Sequence, residues 1–162
     1  MPANTDFQVV ALPAEAFGGL LAMSDDDLRA TRGRRMTADH KPGFPCRVSL
    51  VDAEIGEEVI LIDYTHQDAD SPYRASGPIF VRANAETAKL EINEIPAMLS
   101  TRLLSVRAYD ERGMMRDAEV VKGADLEERI RAFFANERVA YLHVHNAKPG
   151  CFNCRVERAS AR

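Results

Sequence analysis

The sequence of 162 residues contains no tryptophan, three cysteines and no long apolar run. An odd and small number of cysteines excludes the disulfide framework typical of small secreted domains. No segment approaches the roughly 18 consecutive apolar residues that a membrane-spanning helix needs. The opening residues, MPANTDF, lack the positive charge and apolar stretch of a secretory signal. These absences predict a cytoplasmic protein without a membrane partner, whose cysteines form no intrachain disulfide.

The sequence also has no excess of basic charge. Its formal net charge is −4 and its aromatic content is 7%. Proteins that bind nucleic acid usually carry a basic surface or an aromatic platform for stacking bases, so a nucleic-acid partner is not expected. The apolar fraction of 46% and the charged fraction of 28% are typical of a soluble globular protein. The length fits a single domain spanning residues 1–162.

Hydrophobic periodicity predicts about seven strands and three or four helices in mixed order. The most amphipathic helix begins after Asp125, where large apolar residues recur at helical spacing. Seven strands are expected at residues 7–12, 46–51, 58–66, 79–82, 103–109, 114–121 and 139–145, and the segment 152–156 would add a last one. Hairpin connections dominate this order, which favours an α+β fold with a mixed but largely antiparallel sheet.

Four long segments carry a family resemblance. They are KPGFPCRVSL, HQDADSPYRASGPIFVR, RAYDERGMM with the following DAEVV, and YLHVHNAKPGCFNCRV. Together they resemble a bacterial family catalogued as domain of unknown function 1203, in order from about Phe7 to Val156. The resemblance implies no activity, cofactor or catalytic residue, so function has to be argued from the residues themselves.

Two histidines and two cysteines lie close together near the end of the sequence. His143 and His145 share one face of the predicted strand 139–145, because residues two apart on a strand project to the same side. The loop NAKPG could bring Cys151 back towards them, and with Cys154 the four side chains would complete a tetrahedral zinc site. Against this, Cys154 would share a face with Phe152 in the last strand and point away from Cys151.

A second group of polar residues is typical of an anion site. Arg47 follows the KPGFPC turn, Tyr73, Arg74 and Ser76 lie in the turn-rich segment DSPYRASGP, and His66 ends a predicted strand. Arginine donates in a planar fork that matches a carboxylate or phosphate, and histidine exchanges a proton near neutral pH. The opposing interpretation is that both arginines form ordinary surface ion pairs. The two segments meet if strands 46–51 and 58–66 pair as a hairpin.

Two functional hypotheses follow. The first is a site for a small carboxylate- or phosphate-bearing ligand, with His66 or His143 transferring a proton, and no reaction is specified. Its ligand-binding residues would be Arg47, Tyr73, Arg74, Ser76 and His145. The second is a structural or interaction module, either metal-free or stabilised by zinc. The residues in that module would be His143, His145, Cys151 and Cys154.

Overall fold

A computed structural model describes residues 3–160, and it confirms the α+β class expected from the sequence. Its strands are β1 (Phe7–Val10), β2 (Arg34–Thr37), β3 (Glu58–Gln67), β4 (Ala75–Arg82), β5 (Leu103–Tyr109), β6 (Met115–Lys122), β7 (Tyr141–Asn146) and β8 (Phe152–Arg158). Its helices are α1 (Gly18–Leu21), α2 (Asp25–Ala30), α3 (Ala97–Ser100) and α4 (Leu126–Phe134). Within the described residues, no helix is both long enough and apolar enough to cross a bilayer.

The larger sheet has five antiparallel strands in the order β1-β8-β7-β5-β6. One of its faces forms the main core, in which Leu142 and Val144 of β7 cluster with Ile130 of α4. The amphipathic stripe expected after Asp125 is therefore the covering layer of this face. The opposite face carries the alternate residues of the same strands and is available to the second sheet.

The smaller sheet has three antiparallel strands in the order β2-β3-β4. Ile60 and Ile62 of β3 cluster with Phe152 of β8, which joins the small sheet to the second face of the large one. The two sheets thus enclose a second core between them. His66, His143 and His145 lie where the two sheets meet.

The predicted strand at residues 46–51 is wrong. Cys46 makes only an isolated bridge to Phe80, and the backbone N–H of Leu50 turns back to the carbonyl of Cys46. Leu50 has a φ of 53°, a left-handed conformation that ends any extended run. The hairpin expected with β3 therefore does not form, and β2 and β4 pair with β3 instead.

Two β-bulges adjust the strands at the interface. In β3 the register advances from Thr65 to Gln67 while β4 advances by one residue, so His66 is the extra residue. In β8 the register advances from Phe152 to Cys154 against one step of β7, so Asn153 is the extra residue. A bulge reverses the alternation of side chains beyond it. Phe152 and Cys154 consequently pack in different cores, against the expectation that they would share a face.

The turn between β5 and β6 supports the loop that follows β3. Gly113 has a φ of 75°, and a β-carbon at this position would overlap the side chain of Ala69. The hydroxyl of Ser71 donates to the carbonyl of Gly113 at 2.9 Å. The loop and the turn therefore pack so closely that a side chain at position 113 has no room.

We expect Gly113→Ala to lower the free energy of unfolding by about 2 kcal/mol, because it adds both backbone strain and overlap. Urea unfolding followed by circular dichroism measures the loss. Gly77→Ala is the matched control, since a β-carbon at Gly77 meets no atom within 4 Å. Equal stability of the two variants would show that the loop does not pack on the turn as described.

Candidate functional site

The second face of the large sheet carries the histidines of β7. His143 and His145 project from one side of this strand and Leu142 from the other, as the sequence predicts. The smaller sheet covers the imidazoles, so that each histidine is only 1% exposed. They are interior groups, not residues at a solvent-facing sheet edge.

A third histidine joins them from the smaller sheet. The bulge in β3 carries His66, whose ring centre lies 5.0 Å from that of His145 and 6.1 Å from that of His143. Phe152 stacks on His66 at 5.3 Å with an angle of 9° between the rings. Three of the four histidines in the chain therefore meet around one phenylalanine.

Burial keeps these imidazoles neutral. It lowers the pKa of His143 to about 3 and that of His145 to about 4, together with the positive or polar side chains around them, chiefly arginines and the other histidines. Burial is also the main reason that the pKa of His66 lies below its usual value. At neutral pH the cluster thus carries no charge of its own.

Each of the three rings has one buried nitrogen without a hydrogen-bond partner among the described residues. These are Nδ1 of His66, Nδ1 of His143 and Nε2 of His145. The other nitrogen of His145, Nδ1, donates to the carbonyl of Gly150 at 2.9 Å. Buried polar atoms are nearly always paired in folded proteins, so these three nitrogens mark a place where a ligand or water would bind.

Two arginines flank His143 on the neighbouring strands. The register places Arg107 of β5 and Arg155 of β8 directly opposite His143. The guanidinium of Arg155 lies 4.0 Å from the ring centre of Tyr141, and its Nε donates to Glu157 at 2.9 Å. The neutral imidazole of His143 therefore has a positive charge on either side.

Arg107, His143 and Arg155 form a row across three neighbouring strands, and the sequence alone indicates the direction in which Arg107 projects. Leu104, Val106 and Ala108 alternate along β5 and face the main core. Arg107 must then face the other way, towards the histidines. Arg155 lies beyond the bulge at Asn153, where simple alternation does not give its side.

His66, His143 and Arg155 line a cleft of about 440 Å³, which we call the histidine cleft. Its polar lining includes His66, His143 and Arg155, and the side chains of Gln67 and Tyr141 hydrogen-bond to each other at 2.9 Å. This volume lies within the range of pockets for small molecules. A larger hollow of about 990 Å³ beside the β5–β6 turn contains no histidine.

Arg47 is buried, does not line this cleft and has a structural role. It is 1% exposed, and its Nε donates to the carbonyl of Phe152 at 2.7 Å. Its terminal nitrogens donate to the carbonyl of Pro45 and, at 3.3 Å, to Sγ of Cys151. Burial lowers the pKa of the guanidinium. The geometry assigns Arg47 to the packing of the KPGFPC turn against β8.

The predicted anion-binding residues of the DSPYRASGP segment are more exposed than Arg47. Arg74 pairs with the carboxylate of Asp68 at 2.5 Å, and both side chains are largely in solvent. Ser76 lies on an exposed part of β4, and the ring of Tyr73 lies 6.3 Å from that of Tyr109. Arg47 and Arg74 thus have separate partners, because the predicted hairpin that would bring their segments together is absent.

The four residues of the predicted zinc site do not converge. The bulge places Cys154 in the main core beside Val144, on the far side of the sheet from the histidines. Cys151 stays near them, but its sulfur accepts hydrogen bonds from Arg47 and Asn146. Across residues 3–160, no group of three or more His, Cys, Asp or Glu side chains is arranged to hold a metal ion. Cys46, Cys151 and Cys154 form no disulfide with one another in the structure.

The buried histidines should make the protein less stable in acid. Their pKa values are lower in the folded chain than in the unfolded one, so the unfolded state takes up more protons as the pH falls below about 6.5. We expect each of His143 and His145 to reduce the free energy of unfolding by roughly 1 kcal/mol per pH unit between pH 6 and pH 5. Urea unfolding across this range measures the slope. His143→Phe should remove the contribution of His143 to this slope. An unchanged slope would contradict the burial of a neutral His143.

Comparison with known proteins gives one family and one distant relative. The model of the family described as protein of unknown function (DUF1203) matches residues 43–158. Residues of the chain are also 35% identical, over 83 positions, to the acetyl-coenzyme A carboxylase carboxyl transferase subunit alpha of Campylobacter concisus (strain 13826). That alignment covers 51% of this chain and 24% of the relative, so the chain spans about a quarter of that protein. No solved structure matches the chain.

Proposed function

The chain belongs to the family described as protein of unknown function (DUF1203), and we propose that it binds a small carboxylate- or phosphate-bearing molecule in the histidine cleft. The observation that carries the proposal is the row in which Arg107 and Arg155 flank the neutral His143. Arg155 and His143 both line the cleft. An anion bound there would meet a guanidinium donor and an unpaired imidazole nitrogen.

The charge around the cleft supports an anion more than a cation. Because the histidines are neutral, the positive charge near them comes from the two arginines. Arg155 forms an ion pair with Glu157 through Nε alone, and its terminal nitrogens donate to no other described residue. The acid that lines the cleft, Asp68, is paired with Arg74. A partly desolvated guanidinium with free donors favours a carboxylate or phosphate.

Proton transfer would depend on the ligand. A bound anion beside His143 would raise the pKa of its imidazole, because negative charge stabilises the protonated ring. The same holds for His66, which lines the cleft. Binding would thereby move one of these histidines towards the range in which acid–base catalysis is efficient. His66 and His143 are therefore the residues we propose for any proton-transfer step.

Titration of isotope-labelled protein with acetate, phosphate and tetramethylammonium tests the proposal by nuclear magnetic resonance. We expect acetate or phosphate to shift backbone amides at residues 64–69, 141–143 and 152–155, which border the histidine cleft. Tetramethylammonium controls for general salt effects and should leave these signals in place. Shifts spread over the surface, or the same response to the cation, would overturn the proposal.

A further inference from the structure

The lining of the histidine cleft combines polar and apolar side chains. Arg155 and His143 are among the polar ones, and Leu12, Tyr64 and Phe152 are the apolar and aromatic ones used here. The rings of Tyr64 and Phe152 lie 6.3 Å apart, with an angle of 34° between them. An ion as small as acetate would meet the polar side chains and leave the half-buried Leu12 and Tyr64 in contact with water. A ligand with a flat apolar body would meet the polar groups and also cover these two side chains.

The unpaired imidazole nitrogens call for a second polar group on the ligand. Nδ1 of His66 and Nδ1 of His143 are buried without a partner among the described residues. Each ring is neutral, so its Nδ1 either donates or accepts a hydrogen bond according to the tautomer. A hydroxyl group can do both and would satisfy either form.

The size of the cleft limits the body of the ligand. Its volume of about 440 Å³ is near the lower end of small-molecule pockets, which begin at about 300 Å³. This favours a compact ring over an extended chain or a nucleotide.

We infer that the ligand is an aromatic hydroxycarboxylate. Its carboxylate would bind Arg155, its ring would pack against Leu12 and Tyr64, and its hydroxyl would reach Nδ1 of His66. The inference rests on the proposed anion site and adds the chemical class of the molecule that fills it.

Calorimetric titration with acetate, phosphate, benzoate and para-hydroxybenzoate tests the anion site and the class of its ligand separately. We expect benzoate to bind about tenfold more tightly than acetate, because its ring is removed from water. We expect para-hydroxybenzoate to bind about tenfold more tightly than benzoate, because it pairs a buried nitrogen. Equal binding of acetate, phosphate and the two aromatic acids would overturn the ligand class and leave the anion site standing. Absence of binding by every anion would overturn both.

His66→Phe tests the role of the hydroxyl. Phenylalanine preserves an aromatic ring beside Phe152 and removes the nitrogens, so the preference for para-hydroxybenzoate over benzoate should fall to near one. His40→Gln is the control, since His40 is exposed and pairs with Asp39 outside the cleft. Thermal unfolding checks that both variants are folded. A preserved preference in folded His66→Phe would overturn the assignment of the hydroxyl to His66, and unequal ratios in wild type and His40→Gln would overturn its location in the cleft.

Discussion

Replacing Arg155 with methionine should weaken the binding of benzoate by at least about tenfold, since a charge-assisted hydrogen bond to a carboxylate contributes roughly 1.5–3 kcal/mol. Methionine has a similar length and keeps the apolar stem that packs near Tyr141, so the change removes mainly the charge. Calorimetry at low ionic strength measures the loss, because salt screens the pairing of partly exposed charges.

Arg74→Met is the matched control for this variant. Arg74 carries the same charge, but it lies in solvent and its partner is Asp68. Because Asp68 lines the cleft and loses its partner in this variant, we expect a small loss of benzoate affinity, no more than about threefold, since screened surface charges have small effects. A loss of affinity in Arg74→Met as large as that in Arg155→Met would contradict the histidine cleft as the binding site and support the anion site first predicted at the DSPYRASGP segment.

The largest expected effect on stability is at Arg47. Arg47→Met leaves the carbonyls of Pro45 and Phe152 without donors in a buried position. Each unpaired buried acceptor costs roughly 1–3 kcal/mol, so we expect the free energy of unfolding to fall by about 3 kcal/mol. Urea unfolding at neutral pH measures the change.

Arg138→Met provides the comparison, since Arg138 is exposed and its side chain carries no such pair of buried contacts. Its stability should stay within about 0.5 kcal/mol of wild type. If Arg47→Met were as stable as Arg138→Met, Arg47 would not hold the KPGFPC turn to β8, and its role as a ligand-binding residue would have to be reconsidered.

The features that could be predicted from the sequence are those that follow from regular periodicity. Strict alternation in YLHVHN gave a strand with both histidines on one face, and the apolar spacing after Asp125 gave a covering helix. The hairpin of β5 and β6 followed from two predicted strands on either side of the DERG turn. In each case one physical period dominates the local pattern.

The candidate site depends on departures from that periodicity. The extra residues His66 and Asn153 change the side to which later residues project. No local sequence pattern predicts either bulge. Arg155 could therefore be placed opposite His143 only once the pairing of β7 with β8 was known. Arg47 could likewise not be placed, since its partners Phe152 and Cys151 are more than one hundred residues away along the chain. Polar residue type indicated a functional candidate at Arg47, but only tertiary contacts distinguish a ligand donor from a structural one.

The central claim is that a small anion binds in the histidine cleft, and the ring nitrogens of the histidines report on this most directly. The measurement is a nuclear magnetic resonance titration of histidine-labelled protein with benzoate at neutral pH. The exposed His40 serves as an internal reference. We predict saturable shifts for the ring nitrogens of His66 and His143, with His40 unchanged. Benzoate binding detected by calorimetry without any response from these two rings would contradict the account.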